Sequence, residues 1–363
     1  MIKYPKAPIE IELAVTGKCN LRCKHCMVKG THDTDGRGEL TTKELFALFD
    51  ELKKCKIFKL SLLGGEPFVR SDILEVLDRI RTFPAEIQIL TNGTTVNKGI
   101  ITRLKRIKYL KNVQVSLDGG SPATHDWQRG AGSFAKTLKG IKLLRSAKIN
   151  CLLKCIINRR NFSEMDKMVS LSRGLGLKGM AFGDAVECGY ARTHKKEIRL
   201  TAEVYRISLL KIAELKKKYA DFLFYGTLPQ MLELVSSFKK NGAGNGKRGS
   251  FGACPAGTKT LGIRHDGWAI PCSAFWTYKL GNIRDKSVTD IWQNSPLLNR
   301  IRALRDVPLC GIGECRDCQF IKYCNGGCRA AGYYLNNGDL KGLDRTKCAV
   351  YSTDSLSEIL KGI

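Results

Sequence analysis

Apolar and polar positions alternate through Ile9-Glu-Ile-Glu-Leu-Ala-Val15, the two-residue period of an extended strand. Further strand signals, alternating or short and apolar, fall at 58–63, 86–91, 113–117, 151–157 and 178–182. Stretches of helical pattern separate them at 41–54, 71–81, 99–107, 133–147 and 163–173, and another helix follows at 203–219 before a short strand at 221–225. The first helix opens on Thr41-Thr-Lys-Glu44, the signature of a capping box. Strands alternating with helices in this way predict a parallel sheet with the helices outside it.

The strand faces say what kind of sheet this is. Ile11, Leu13, Ile87, Ile89, Val113, Val115, Leu153 and Ile157 suit packing against helices. The opposite faces carry Glu10, Glu12, Gln88, Gln114, Ser116, Lys154 and Asn158. A closed eight-stranded barrel fills its interior with branched apolar side chains. A polar inner face predicts instead an incomplete, six-stranded α/β barrel with a wet lumen, with Glu12 and Lys154 both pointing inward and pairing. Functional residues of such sheets gather at the C-terminal strand ends. Here those ends carry Thr16, Gly64–Glu66, Thr91, Asn92, Ser116, Asp118, Asn158 and Asp184.

Composition narrows the class. The chain has 363 residues, a hydrophobic fraction of 43% and no run approaching the roughly 20 apolar residues of a membrane span. Met1-Ile-Lys-Tyr-Pro-Lys6 lacks the apolar core of a secretion signal, so a cytoplasmic location is expected. Fifteen cysteines without an export signal argue for metal or cluster ligation over disulfides. The formal charge of +27 implies either an acidic partner or a Lys-rich solvated surface. The densest basic runs lack the interleaved aromatics of a nucleic-acid platform.

After the first strand comes Cys19-Asn-Leu-Arg-Cys23-Lys-His-Cys26. Three thiolates from one short loop can occupy three corners of a cubic iron–sulfur cluster and leave the fourth iron open to a small molecule. Zinc is the alternative, but a structural zinc site takes four protein ligands and no nearby His or Cys completes this one. Together with Gly64-Gly65-Glu66-Pro67 after the second strand, this loop resembles the radical S-adenosylmethionine (SAM) enzymes. The resemblance implies a partial barrel and a 4Fe–4S cluster on Cys19, Cys23 and Cys26. It implies that the open iron binds the amino and carboxylate groups of SAM, whose reductive cleavage yields a 5′-deoxyadenosyl radical that takes a substrate hydrogen. By the same resemblance Gly64, Gly65 and Glu66 contact SAM, as do Ser116 and Asn158. Arg129, in His125-Asp-Trp-Gln-Arg129, would neutralise the SAM carboxylate unless it is a surface arginine. His25 stands where the family usually has an aromatic near adenine.

A second cysteine field follows a Gly- and Lys-rich segment: Cys254, Cys272, Cys310, Cys315, Cys318, Cys324, Cys328 and Cys348. Its spacing resembles the SPASM extension, which holds two auxiliary iron–sulfur clusters, expected to be 4Fe–4S. The likeness assigns Cys254, Cys272 and Cys328 to the first, and Cys315, Cys318, Cys324 and Cys348 to the second. Either Cys310 completes the first cluster or one of its irons stays open. The expected organisation is a barrel with its following helix over 1–238, a linker over 239–250, and a cluster domain with a C-terminal helix over 251–363. Cys188, after the sixth strand, is a candidate hydrogen donor to a substrate radical.

SPASM relatives mostly modify peptides or proteins, so the expected substrate is an acidic ribosomal peptide or protein that is cross-linked, oxidised or epimerised. Tetrapyrrole side-chain chemistry is the nearest rival, on the likeness of Cys324-Asn-Gly-Gly-Cys328. A zinc-stabilised basic protein that binds nucleic acid is the alternative from another class. With the first strand beginning by residue 9, no separate N-terminal leader-binding domain is expected, so a partner protein or the barrel itself would recognise a leader. A ferredoxin or flavodoxin would supply electrons.

Overall fold

The computed structural model describes residues 4–28, 36–241, 249–251, 254–318, 320–321, 324 and 326–348. Six parallel strands, β1 (Glu10–Thr16), β2 (Lys59–Gly64), β3 (Glu86–Thr91), β4 (Leu110–Ser116), β5 (Cys151–Ile156) and β6 (Gly179–Gly183), lie side by side in chain order. Between them run α1 (Thr42–Lys54), α2 (Ile73–Arg79), α3 (Lys98–Leu104), α4 (Pro122–Arg129), α5 (Ser133–Ser146) and α6 (Met165–Gly174). Thr41 and Glu44 form the capping box: the Thr41 side chain accepts the Glu44 backbone N–H, and Glu44 Oε2 accepts the Thr41 N–H at 2.7 Å. Short α7 (Tyr190–Thr193) and α8 (Lys195–Ile198), then α9 (Ala202–Lys218), lead to β7 (Leu223–Tyr225) beside β6, and α10 (Thr227–Asn241) closes this half of the chain.

The C-terminal half continues the same sheet. β8 (Thr260–Ile263) pairs in parallel with the free edge of β1, and antiparallel β9 (Trp268–Ile270) and β10 (Gly281–Asn282) follow it. The strand order β10-β9-β8-β1-β2-β3-β4-β5-β6-β7 has no pairing between its ends, so the barrel is incomplete. The Cys-rich C-terminal segment is thus hydrogen-bonded to the barrel along β1. Helices α11 (Val288–Asn294), α12 (Pro296–Ala303), α13 (Arg329–Leu335) and α14 (Arg345–Cys348) complete the described chain. Most of the expected linker and the end of the C-terminal segment lie outside the described residues.

The alternation of strand faces sorts as expected. Ile11, Leu13, Ile87, Ile89, Val113, Val115, Leu153 and Ile157 are all fully buried in one core beneath the helices. On the inner face, register sets Glu12 beside Ser61, Ser61 beside Gln88 and Gln88 beside Asn112, and Gln88 Nε2 donates to Asn112 Oδ1 at 3.0 Å. Glu12 and Lys154 do face inward, but they do not pair. Following register across the sheet, Glu12 is level with the start of β5, and Lys154 sits further along that strand beside Ser116. The Glu12 carboxylate instead accepts the Ser273 N–H at 2.6 Å.

Helix α5 reaches the sheet through a close contact at Gly140, where a Cβ would lie 2.1 Å from the Gly93 carbonyl oxygen. Thr137, one turn earlier, donates its hydroxyl to Asn92 O at 2.9 Å. Gly140→Ala must therefore push α5 off the β3 end. We expect it to destabilise the protein by about 1–3 kcal/mol, read as a lower urea midpoint with an unchanged slope.

Candidate active site

The cysteine loop is built on β1 and held from three sides. Glu39 Oε1 accepts both the Thr16 hydroxyl and the Gly17 N–H, each at 2.7 Å. The Gly65 and Glu66 N–H groups donate to Thr16 O and Lys18 O, both at 2.8 Å. A Cβ on Gly65 would sit 2.0 Å from Lys18 O, and one on Gly64, at φ +150°, 2.3 Å from Thr16 O. Two glycines are needed because the two strand-end turns touch backbone to backbone. From the far side, Tyr190 N–H donates to Cys26 O at 2.9 Å.

Cys19, Cys23 and Cys26 line one cavity of about 250 Å³ together with Gly64, Gly65, Asn92, Ser116, Arg129, His25 and Lys154. Ser273 and Trp276, from the C-terminal half, also wall it. Arg129 is buried: its Nε meets Asp118 Oδ2 at 2.5 Å, and its Nη1 reaches Cys23 Sγ at 3.8 Å. Burial alone would push the Asp118 carboxyl upward, yet the Arg129 guanidinium holds it below the usual range. Burial drives the His25 imidazole down to about 4, so it stays neutral at physiological pH against the pull of Asp118. Gln128 Nε2 faces His25 Nδ1 at 2.8 Å, which fixes the ring between α4 and Asp118.

Two expected SAM contacts stand behind the wall. Glu66 does not line the cavity: its carboxylate accepts the Thr91 hydroxyl and Asn92 N–H at 2.6 Å and the Phe68 N–H at 3.2 Å, stapling the Gly64–Pro67 turn to the end of β3. Asn158 is fully buried, bonded to Gln128 Oε1 and to the Arg160 N–H, and does not line the cavity; Gln128 in turn holds His25, which does. Helix α4 itself escaped sequence reading, although its His125–Arg129 segment was conspicuous. Trp276 was missed as well, its only signal being its place four residues after Cys272.

The remaining thiols gather at two further cavities. Cys254, Cys272, Cys324 and Cys328 line one of about 450 Å³ with Glu12, Ser273 and Lys347. Cys315, Cys318, Cys324 and Cys348 line one of about 260 Å³. Cys310 lines neither. Cys188 opens on a separate cavity of about 620 Å³ with Arg192, Thr277 and Tyr334, and not on the one that holds the cysteine loop. On the same wall the Tyr334 hydroxyl accepts the Thr277 N–H at 3.1 Å.

These donor sets fit iron–sulfur clusters. Burial pushes the Cys23 thiol up to about 12 and Cys272 well above its usual value, so thiolates at these positions need a positive centre beside them. Among the described residues no three His, Cys, Asp or Glu side chains converge on a single ion; the thiols are spaced around cavities.

Comparison with known proteins agrees. A profile of the Radical SAM superfamily matches residues 13–171, and one of the SPASM iron-sulfur cluster-binding domain matches residues 254–319. The chain is 30% identical to the AdoMet-dependent heme synthase of Methanosarcina barkeri, over 92% of this chain and 94% of that protein. The chain is a radical SAM enzyme with a SPASM domain. It is also 27% identical to the mycofactocin maturase MftC of Mycobacterium ulcerans, over 90% of this chain and 85% of that one. Streptococcus suis SuiB bound to its precursor peptide SuiA shares the fold, with a TM-score of 0.74 at 18% identity over 94% of this chain and 76% of that one. The family binds SAM and a 4Fe–4S cluster, and the SPASM domain binds auxiliary iron–sulfur clusters. Among the described residues no helix is long and apolar enough to cross a membrane.

Two outcomes follow. Gly65→Ala must displace the Lys18 carbonyl and with it the cysteine loop, so SAM affinity of the reconstituted protein should fall by at least about tenfold in a binding titration. Burial raises the Glu66 carboxyl from its usual 4.5 to about 7, against the three donors that pull it down. The native state then holds a proton that the unfolded chain releases, and the resulting stability, full below 4.5, is lost as pH rises towards 7. In urea titrations of the apoprotein across that window, Glu66→Gln should flatten the decline relative to wild type by about 1–3 kcal/mol.

Proposed function

We propose that this radical SAM enzyme modifies a ribosomally made peptide or protein by removing a hydrogen atom from it. The observation that carries the reading is the composite cavity: the cysteine loop, Gly64, Gly65, Ser116 and Arg129 come from the barrel, while Ser273 and Trp276 come from the SPASM half. The bound cluster and SAM would supply a 5′-deoxyadenosyl radical. Arg129, already committed to Asp118, presents fixed positive charge beside Cys23, and neutral His25 adds none. Trp276 and Leu63 exclude water from one side.

Peptide chemistry is supported by MftC and by the fold shared with SuiB, whose names describe a maturase and a complex with a precursor peptide. The net charge of +27 suits an acidic leader, recognised by the barrel or by a separate leader-binding protein, with a ferredoxin- or flavodoxin-type electron donor. Cys254, Cys272 and Cys328 would hold one auxiliary cluster, with an iron left open since Cys310 lies elsewhere. Cys315, Cys318, Cys324 and Cys348 would hold the other. A second reading, side-chain chemistry on a tetrapyrrole, is favoured by the heme synthase of Methanosarcina barkeri, which the chain matches over nearly its whole length.

Anaerobic reconstitution should give about 12 irons per chain and 5′-deoxyadenosine from SAM under a reductant. Cys23→Ser should lose about four of those irons and all SAM cleavage. Stoichiometric zinc without cleavage would overturn the assignment of enzyme chemistry to this site. Stimulation of cleavage by a small acidic peptide, set against a porphyrin bearing propionates, decides between the two substrate readings.

A further inference from the structure

Among the described residues, one ammonium inside the barrel is left without a direct counter-charge. Lys154 stands on the inner face of β5, beside Ser116 of β4 on one side and Ala181 of β6 on the other. It lines the same cavity as Cys19, Cys23 and Cys26. The other cation on that wall, Arg129, is already paired with Asp118.

Three carboxylates set the field at Lys154, and each is held by something else. Glu12 accepts the Ser273 N–H at 2.6 Å. Asp118 is occupied on one oxygen by Arg129 and on the other by the Ile156 N–H, at 2.7 Å. Asp184 accepts the Thr227 hydroxyl at 2.5 Å. None comes within ion-pairing distance of Lys154 Nζ, and burial lowers the lysine's pKa while these carboxylates pull it back up. Lys154 is half-buried; a cation drawn partly out of water with no ion-pair partner among the described residues is costly, and the cost falls when a ligand brings the missing anion.

We propose that Lys154 is a carboxylate-binding residue within the lumen, and that the carboxylate belongs to the substrate. The inference rests on the radical SAM reading above and deepens it. Arg129 reaches the Cys23 sulfur at 3.8 Å, so it and Ser116 are the groups suited to the carboxylate of SAM, and the Lys154 ammonium is available to a second anion. That anion would be a Glu, Asp or C-terminal carboxylate of a peptide, or a propionate. In either case the enzyme would discriminate against neutral isosteres of its substrate, because they leave the ammonium unpaired.

Modification of Lys154 by cyanate tests this in the reconstituted holoenzyme, with peptide mass spectrometry as readout and exposed Lys98 as internal control. Only the neutral amine reacts, and a bound carboxylate stabilises the charged form, each unit of pKa costing about tenfold in rate. Glutarate at saturating concentration should slow the modification of Lys154 by at least about fivefold while glutaramide leaves it unchanged. SAM and decarboxylated SAM should affect it equally. Equal rates with glutarate and glutaramide would overturn the proposal. Protection by SAM but not by decarboxylated SAM would give the site to the cofactor and overturn its assignment to substrate. Formation of 5′-deoxyadenosine by the same preparation reports the radical SAM reading separately, so a failure of one does not pass for failure of the other.

Discussion

The Asp118–Arg129 ion pair is the contact on which the mouth of the barrel depends. Arg129 closes α4, Asp118 follows β4, and between them they fix the Cys23 sulfur, His25 and the Ile156 N–H of β5. Both partners are buried, so the loss of either would leave a bare charge at a cost of about 3–5 kcal/mol. Such a pair is a poor way to add stability but a good way to specify one arrangement. It sets the cysteine loop, the end of β4 and the end of β5 at fixed spacing before any cofactor enters, which is the preorganisation a radical enzyme needs.

The second constraint is continuity of the sheet through β1. Its inner face carries Glu12, its end carries the cysteine loop, and its two edges pair with β2 and β8. The turn after β9 brings Cys272 and Ser273 back over the lumen, where the Ser273 N–H binds Glu12. Ser273 therefore walls both the cavity of the cysteine loop and the cavity lined by Cys254, Cys272 and Cys328. The two cavities thus share one wall residue, so whatever binds in one lies next to whatever binds in the other.

Much of this was legible in the chain. The period-two faces of β1, β3, β4 and β5 placed Ile11 to Ile157 outside and Gln88, Gln114 and Lys154 inside, because a half-buried strand encodes its orientation residue by residue. Thiol spacing marked the cluster loop for the same reason: the ligands are local. What stayed hidden depends on contacts between distant segments. The Glu12–Lys154 pair was wrong because register along the sheet, and not face, decides which inward residues meet. The placement of Glu66 and Asn158 behind the wall follows from hydrogen bonds to Thr91, Asn92 and Gln128, none of which a spacing rule contains. That β8 extends the barrel sheet could not be read either, since four-residue strands carry too little pattern to reveal their neighbours.

The buried thiols link folding to cofactor loading. Cys23, Cys272 and Cys328 are enclosed, and burial raises each thiol away from the ionised form that ligation requires. Cys328 caps α13, and its N–H is held by Asp344, a carboxylate itself raised by burial and flanked by Lys347. Without a positive centre the thiols are held towards their neutral forms, while Lys347 already faces Asp344 at 3.7 Å, its ammonium favoured, against burial, by Asp184 and Asp344. With one, the thiols can ionise against it. The same helix α13 carries Tyr334 to the cavity that Cys188 lines and, through Thr277, to the turn that walls the lumen. Order at the Cys254–Cys272–Cys328 cavity therefore propagates by direct contact to both faces of the mouth of the barrel, and the auxiliary half acts as a structural roof whatever its electrons do.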